Sequence, residues 1–541
     1  MTTITAVRPP ALADEAPSWL FERSAWTDGD LAAAAVPVID VALATIGGGL
    51  GSLALVDILR LAGVAASDLG VVTTATTPSE TYRYLAANSQ IDLDDRLRSD
   101  AGSVMDNIWG FPSYAWREAW SDRSLKPLAT VATEPLATDY FTPRAGQVYD
   151  SVDREVARIG WADLVHGGLV RAVRRRTGGG YFVLVAPMVG EGRGPMAGSL
   201  RALRCTHVHL AVGYPGVRLL PDLKAFRAHH PEHGHRVLNA YEPHEHAYAE
   251  ARRRPTTVIV RGSGIVGSRV VERLLDDVEQ HGARTTVIHL FRTYVDGPQG
   301  RRPWFRRPGR NGYAYQAFNF PKAAWGGQLR DRLESTAGED RRDLLGRLGG
   351  TNTAPRRAWK RQLRRMTAAG HYMSRQGVVT EVRPGADGRS VVTTLEATGD
   401  ALDGDGPGHA ILTADLVIDA TGLQADLGEH PMLADLLAHS GATRNPSGRL
   451  EVDQSFEVVG ARSGPGRLYA TGAMTLGGPY AGVDSFLGLQ YGALQIADDL
   501  AGIGFAPRLG VGRSIQQWWR WARNRMPDGQ RPPDGSRGEP T

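Results

Sequence analysis

The stretch TTVIVRGSGIVGSRVVERLLDD, residues 256–277, decides the fold. An apolar run typical of a buried β-strand leads into glycines at positions 262, 264 and 267, and an amphipathic helical pattern follows. In a dinucleotide-binding unit, Gly262 permits the tight turn, Gly264 lets the backbone approach a pyrophosphate, and Gly267 lets helix and strand pack closely. The pyrophosphate then lies on the helix N-terminus, beside Ser263. Strand, loop and helix agree, so the stretch predicts a doubly wound α/β domain that binds a dinucleotide.

The next predicted strand bears on the choice of dinucleotide. The run TTVIHLFRTY, residues 285–294, finishes with Arg292 and Thr293, where preference for NADH would call for an acidic residue. An arginine there can pair with a 2′-phosphate, and the missing carboxylate removes repulsion against it. NADPH is therefore favoured over NADH. Arg269, on the helix after the loop, is a second candidate for that phosphate, although a solvated arginine on the helix surface explains it equally well.

A similar pattern occurs earlier, in ALATIGGGLGSLALVDILRLAG, residues 42–63. Gly47 and Gly49 take the first two glycine positions, and Gly51 lies in the same loop. Ser52 takes the third position, where a small residue keeps helix and strand close. One glycine loop is weak evidence, and an ordinary turn between a strand and a helix stays an alternative. The repeated pattern nevertheless predicts two related nucleotide-binding modules.

The strand after this first loop lacks the usual ribose ligand. The run LGVVTTATTPSE, residues 69–80, ends in threonines, where an acidic residue would bind the ribose hydroxyls of an adenosine. Glu80 is the nearest carboxylate that can replace it, after a longer loop.

Composition limits the remaining possibilities. The 541 residues exceed the usual size of one hydrophobic core, so at least two domains, or one domain inserted in another, are expected. Hydrophobic residues make up 42% and charged residues 22%, as in globular proteins, and a net charge of +4 gives no case for nucleic-acid binding. Cys205 is the only cysteine, which excludes intramolecular disulfides, a paired-cysteine redox site and a cysteine-rich zinc site.

No segment indicates export, a membrane span or a metal site. The N-terminus lacks the basic start and apolar core of a secretory signal, so a cytoplasmic protein without a membrane partner is expected. Asp57 and Arg60 interrupt the apolar stretch 41–66, which is better explained as a buried strand, turn and helix. The histidines within 229–235 are expected to be solvated, and the AYEPHEHAY segment, 240–248, to have a hinge or surface role.

Three further segments carry a family resemblance. HVHLAVGYPG around Gly213, DLVIDATGL around Gly422 and GRLYATGAMTLGG around Gly472 each run from an apolar strand to a glycine. Together with the two glycine loops, and in this order over residues 41–500, they resemble the two-dinucleotide-domain flavoproteins, although Ala473 stands where that superfamily usually has an aspartate. The resemblance implies FAD on the earlier glycine loop and NADPH on the later one, with crossover segments between the two domains at the first two of these glycines.

The implied fold is α/β, with two Rossmann-like doubly wound domains and the NADPH domain inserted in a discontinuous FAD domain. Five segments are expected in chain order: a flexible N-terminal segment (1–35), the first part of the FAD domain (36–254), the NADPH domain (255–375), the second part of the FAD domain (376–510), and a C-terminal helix with a mobile tail (511–541). The helical pattern IQQWWRWARNRM is expected to pack on the body through its tryptophans, with a membrane-surface or partner helix as the alternative.

Short sequence segments resemble one branch of this superfamily. The lack of paired cysteines excludes the disulfide reductases, whose chemistry needs a dithiol beside the flavin. YQAFNFP around Asn319, GGTNTAP around Asn352 and the segment YAGVDSFLGLQ with Asp484 resemble class B flavoprotein monooxygenases, in the branch that N-hydroxylates amines. The resemblance implies that Asn319 and Asn352 face substrate or nicotinamide and that Asp484 lies near the flavin ring. A helix cap is the alternative for Asn352 and for Asp484.

The implied function is N-hydroxylation of a small amine with FAD, NADPH and O2, through a flavin C4a-hydroperoxide. The segment 103–120 lacks the Gln and Lys with which the ornithine and lysine enzymes hold an amino acid, so neither free amino acid is expected as substrate. Two alternatives stay open. One is an NAD(P)H-dependent flavin reductase or electron-transfer protein that oxygenates nothing, and the other is a cofactor-binding protein for assembly or sensing. The substrate and a homo-oligomeric state are also left open.

Overall fold

The computed structural model describes residues 16–97, 113–133, 141–187, 200–292, 328–348, 357–397 and 409–527. Its strands are β1 (Ala25–Trp26), β2 (Val38–Asp40), β3 (Leu43–Ile46), β4 (Leu69–Thr73), β5 (Val165–Gly167), β6 (Leu169–Arg176), β7 (Tyr181–Ala186), β8 (Arg201–Cys205), β9 (His207–Leu210), β10 (Gly216–Val217), β11 (Val237–Asn239), β12 (Thr256–Arg261), β13 (Thr285–Phe291), β14 (Tyr372–Pro384), β15 (Val391–Ala397), β16 (His409–Ala414), β17 (Leu416–Asp419), β18 (Leu423–Gln424) and β19 (Leu468–Ala470).

The α-helices of these residues are α1 (Ser18–Phe21), α2 (Asp28–Ala33), α3 (Leu50–Ala62), α4 (Glu80–Asn88), α5 (Ser113–Ser121), α6 (Lys126–Thr133), α7 (Ala145–Arg158), α8 (Pro221–His229), α9 (Glu245–Arg253), α10 (Ile265–His281), α11 (Gln328–Glu334), α12 (Gly338–Leu348), α13 (Arg357–Ala368), α14 (Pro431–His439), α15 (Phe486–Gly502) and α16 (Val511–Ala522). Strands and helices alternate over much of the chain, which confirms the predicted α/β class.

The first glycine loop belongs to a five-stranded parallel sheet with the order β19-β9-β3-β4-β5. All four residues of β3 are buried, and so is every residue of α3, which packs against α15. The apolar stretch 41–66 is thus a buried strand, turn and helix, as expected. The sheet continues to β4 on one side of β3 and to β9 on the other, so the carboxyl end of β3 opens into the crevice where doubly wound sheets bind ligands.

The second glycine loop belongs to a seven-stranded sheet with the order β11-β17-β12-β13-β14-β15-β16. The first five strands pair in parallel, and β14, β15 and β16 continue the sheet as an antiparallel excursion. All seven strands lie between β9 and β19 in the sequence, so this unit is inserted in the first one, as the predicted fold requires. The strands span 237–419, wider than the predicted range 255–375, because β11, β15, β16 and β17 join the sheet from outside that range.

The described part of the N-terminal segment is ordered, so the expectation of a flexible segment is wrong for residues 16–35. β1 pairs with β6 at the edge of a third sheet, β1-β6-β7-β8-β2. Leu20, Trp26 and Leu31 are fully buried, and the Trp26 indole Nε1 donates to the Leu20 carbonyl oxygen at 2.7 Å. These residues lack sequence periodicity because β1 has only two residues and α1 only four. Residues 1–15 lie outside the described residues.

Candidate functional site

Gly47 closes the first glycine loop against a neighbouring strand. Its φ is +117°, and a Cβ there would overlap the Ala211 carbonyl oxygen and lie 2.7 Å from its carbonyl carbon. Because both obstacles are backbone atoms, a side chain at this position has no way to fit. Gly49 is the N-cap of α3, and the helix starts at Leu50. The backbone N–H groups of that first turn are therefore available to an anion at the end of the sheet.

Ser52 does more than keep the helix close to the strand. Its buried hydroxyl accepts hydrogen bonds from Gly48 N at 3.2 Å and from Thr45 Oγ1 at 2.9 Å. Thr45 Oγ1 also lies 2.9 Å from His209 Nδ1, and His209 Nε2 lies 2.8 Å from Thr471 Oγ1. This polar chain joins the loop to β3, β9 and the end of β19. Burial lowers the pKa of His209 to about 3, so the ring is neutral and each nitrogen has a hydroxyl partner.

Thr73 occupies the end of the strand where the ribose-binding acid was expected. Its hydroxyl donates to Gly47 O at 3.3 Å and accepts from Ala75 N at 3.0 Å, so it stabilises the first glycine loop. Glu80 begins α4, and its carboxylate accepts from Thr76 N and from Thr76 Oγ1, both at 2.7 Å. Glu80 therefore closes its own loop, and a contact between Glu80 and a ribose stays a prediction.

The second glycine loop repeats the construction of the first. Gly262 has φ +123°, and a Cβ there would lie 2.5 Å from the Ala420 carbonyl oxygen. Gly264 is the N-cap of α10, Ser263 lies between the two glycines, and Gly267 packs against the Gly262 carbonyl group. In both units the first glycine packs against the carbonyl group of the residue that follows a neighbouring strand. This residue is Ala211 after β9 in the first sheet and Ala420 after β17 in the second.

A second buried histidine supports this loop from beneath. His289 Nε2 lies 2.8 Å from Gly262 O, and Nδ1 lies 3.1 Å from Tyr372 Oη. Burial lowers the pKa of His289 to about 4, so a neutral ring donates from Nε2 to the carbonyl oxygen. Neither His209 nor His289 stands out in the sequence, because each looks like an ordinary residue within an apolar strand. The only sequence signal is a polar residue at a buried strand position beside a glycine loop.

The two arginines proposed for the 2′-phosphate have different environments. Arg292 directly follows β13 and is exposed, at the same sheet edge as the Gly262 loop. Arg269 is buried, pairs with Glu272 at 2.6 Å and with Asp95, and donates to Gln90 O at 2.9 Å. Its charge is thus already balanced by carboxylates, and it joins α10 to the loop after α4. We therefore withdraw Arg269 as a phosphate ligand. Thr293 lies outside the described residues.

The two crossover segments meet beside the first loop. After Gly213 and Gly422, which both have positive φ, β10 and β18 pair as a short antiparallel ribbon. Asp419 is buried and accepts from Thr421 N at 3.0 Å and from Leu220 N at 2.8 Å, which ties the second segment to the first. The ribbon thus joins the segment that follows β9 to the segment that follows β17.

Asp484 approaches the first crossover segment. Tyr214 Oη donates to Asp484 Oδ2 at 2.6 Å, and burial together with this carboxylate raises the pKa of Tyr214. Ser485, one residue later, is the N-cap of α15 and accepts from Gly488 N at 3.1 Å, so the helix-cap alternative for Asp484 is wrong. At the same sheet edge, Thr471 N bonds to Leu210 O at 3.0 Å and sets Gly472 at the end of β19.

The remaining predicted site residues are not described by the structure, and the histidine-rich segments that it describes offer no metal site. Asn319 and Asn352 lie outside the described residues. His244, expected at a hinge or surface, is buried instead, with Nε2 2.9 Å from Tyr248 Oη and Nδ1 2.8 Å from Glu242 O. Within the described ranges, no group of three or more His, Cys, Asp or Glu side chains could hold a metal ion.

Comparisons with known proteins identify the fold. No protein-family model and no curated protein matches the chain. Among solved structures, the ornithine hydroxylase of Pseudomonas aeruginosa is 14% identical and has a TM-score of 0.56, with 86% of this chain and 100% of that chain covered. The ornithine N-hydroxylase of Kutzneria sp. 744 is also 14% identical, with a TM-score of 0.54 over 86% of this chain and 99% of that chain. The chain has the fold of these hydroxylases.

A third similar structure is that of an enzyme named for an amine that is not an amino acid. The cadaverine monooxygenase of the desferrioxamine pathway of Erwinia amylovora, solved with FAD, is 12% identical, with a TM-score of 0.58 over 92% of this chain and 99% of that chain. The likeness therefore confirms the α/β fold with Rossmann-like units expected from the sequence.

Proposed function

We propose that the chain is an FAD- and NADPH-dependent monooxygenase that N-hydroxylates a small amine with O2. The observation that carries this proposal is the pair of matching glycine loops, in which Gly47 meets Ala211 and Gly262 meets Ala420. Two such loops in one chain suit an enzyme that passes electrons from one dinucleotide to the other. The fold shared with the ornithine and cadaverine enzymes supports the same proposal.

The residues around both loops fit the cofactors assigned to them. A Cβ added at Gly47 or Gly262 would overlap backbone atoms of Ala211 or Ala420. Each glycine loop therefore packs directly against the neighbouring strand end, next to the N-terminus of its helix. Helix N-termini bind phosphate groups through free N–H groups and the helix dipole. We assign FAD to the loop of α3 and NADPH to the loop of α10.

When bound, FAD and NADPH supply the redox and oxygen chemistry. The residues of the chain then bind and orient these groups. His209 and His289 hold the two loops from beneath, and Tyr214 orients Asp484 beside the first crossover segment. We retain Asn319 and Asn352 as proposed contacts to substrate or nicotinamide. Free ornithine and lysine are not expected as substrates in this proposal, because 103–120 lacks the Gln and Lys with which the ornithine and lysine enzymes hold them.

A coupling experiment separates this function from that of a flavin reductase. Purified protein with bound FAD is mixed with NADPH, O2 and a panel of primary amines, and three quantities are followed: NADPH oxidised, hydroxylated amine formed and hydrogen peroxide released. We expect that, for at least one amine, the amount of hydroxylated amine formed nearly equals the amount of NADPH oxidised. The result favours a flavin reductase if, with every amine, all the O2 consumed is released as hydrogen peroxide and an artificial electron acceptor is reduced rapidly.

Arg292 tests the choice of NADPH. Replacing Arg292 with alanine should raise the KM for NADPH at least about tenfold, because one charge-assisted hydrogen bond to phosphate is lost, while the KM for NADH should hardly change. Arg284→Ala is the matched control, since Arg284 is also exposed but precedes β13 at its opposite end. Equal effects on both nucleotides would remove Arg292 from the phosphate site.

A further inference from the structure

The C-terminal helix α16 has one side docked on the protein and an apolar side that is exposed. Gln517 and Trp521 are buried, and the guanidinium of Arg154 lies 4.9 Å from the centre of the Trp521 ring. Arg513 Nε donates to Leu61 O at 3.3 Å, at the end of α3. The predicted packing through the tryptophans is therefore present for Trp521, and this side of the helix faces the protein.

The opposite side of α16 carries an exposed apolar stripe. Val511, Ile515 and Trp519 are 80%, 54% and 49% exposed. A spacing of four residues places them along one side of a helix, next to each other. Isolated exposed apolar residues are common, but a contiguous row on a helix whose other side is already packed indicates a binding surface. Met526, 44% exposed, lies just beyond the end of the helix.

The chain segment that carries this stripe has charged residues of one sign. Residues 505–527 contain five arginines and no acidic residue. Arg508, Arg523 and Arg525 are exposed, and the Arg523 guanidinium lies 5.1 Å from the centre of the Trp519 ring. The stripe is therefore bordered by cations that have an aromatic ring among them. Such a surface complements an apolar layer that lies beneath anionic groups.

We propose that the stripe of Val511, Ile515 and Trp519, with its arginines, binds the surface of a bilayer that contains anionic lipids. A basic amphipathic helix places its apolar side among the acyl chains and its cations among the headgroups. Of the helices in the described ranges, none is long and apolar enough to cross a membrane. In this proposal the 12-residue helix α16 lies in the plane of the headgroups. A second copy is the poorer occupant, because a symmetric contact through this stripe would bring the arginines of both copies together. The proposal replaces the expectation of no membrane partner.

Vesicle co-sedimentation tests this binding. The full-length protein with its cofactors is mixed with vesicles of phosphatidylglycerol and phosphatidylcholine, or of phosphatidylcholine alone, at low and at physiological salt. We expect binding to the anionic vesicles that weakens with salt and is at least about tenfold weaker on neutral vesicles. Ile515→Glu should lower the partition onto anionic vesicles by about tenfold or more. Ile411→Glu, at a residue of β16 that is 66% exposed, should leave it unchanged.

Charge and self-association are tested with two further measurements. The double variant Arg523→Gln with Arg525→Gln should weaken binding to anionic vesicles, whereas Arg383→Gln with Arg389→Gln, on the antiparallel excursion, should not. Unchanged binding by Ile515→Glu, or equal binding to neutral vesicles, would overturn the proposal. Light scattering without lipid measures the oligomeric state of the protein. If Ile515→Glu converts a dimer to a monomer, the stripe is a contact between copies and the proposal is wrong. The flavin content of all these variants should stay normal, which keeps the test independent of the proposed enzyme activity.

Discussion

Replacing Gly47 with valine should give a folded protein that is purified without bound flavin. The Cβ of the new residue would overlap the carbonyl group of Ala211, and the φ of +117° is one that side chains rarely adopt. Neither obstacle can rotate away, because both are parts of the backbone of adjacent elements. The loop must therefore move away from β9, and the first turn of α3 moves with it. We expect at least about a hundredfold loss in FAD affinity, since a displacement of this kind costs several kcal/mol.

The flavin-to-protein absorbance ratio measures this effect, and Gly178→Val is its matched control. Gly178 has φ +97° but nothing within 4 Å of an added Cβ, so this variant carries the backbone strain without the clash. It should retain flavin. Far-UV circular dichroism should show native secondary structure for both variants. A Gly47→Val protein with a full complement of FAD would contradict the assignment of FAD to this loop.

The sequence predicts most reliably where strand, glycine and helix signals agree. The run 285–294, predicted to be a strand, contains β13 over Thr285–Phe291. Both glycine loops lie at the carboxyl end of a buried parallel strand, since a tight turn there needs residues of the kind found at Gly47 and Gly262. Local chemistry of this type is complete within a short window of sequence.

Features that depend on distant residues are not visible in such a window. His209 meets Thr45 and Thr471, which are 164 and 262 positions away, so only the sheet order reveals the polar chain. The second unit was predicted too short for the same reason, because β11 has three residues and joins through β17, far along the chain. Arg269 illustrates the converse: it has the right residue type beside a glycine loop, but Asp95 and Glu272 already bind its charge.

Replacing Arg158 should cost a large part of the stability of the first unit. Its side chain is 1% exposed and lies between the carboxylates of Glu155 and Asp57, which are 2% and 4% exposed. Arg158 Nε donates to Glu155 Oε1 at 2.9 Å and to Oε2 at 2.8 Å, and Nη2 lies 3.4 Å from Asp57 Oδ1. Arg158→Met would leave two buried carboxylates without their shared cation, and such a loss destabilises a protein by about 3–5 kcal/mol.

Thermal unfolding monitored by circular dichroism should show this loss as a fall of roughly 10 °C in the Tm of the first unit. Arg342→Met is the matched control, because Arg342 and Glu339 form an ion pair whose side chains are 51% and 64% exposed, and exposed pairs contribute little. If uncompensated buried charge is the cause, adding Glu155→Gln and Asp57→Asn to Arg158→Met should restore much of the Tm even though no ion pair returns. A further fall in that triple variant would show instead that the packing of the Arg158 side chain between α3 and α7, rather than its charge, stabilises this part of the fold.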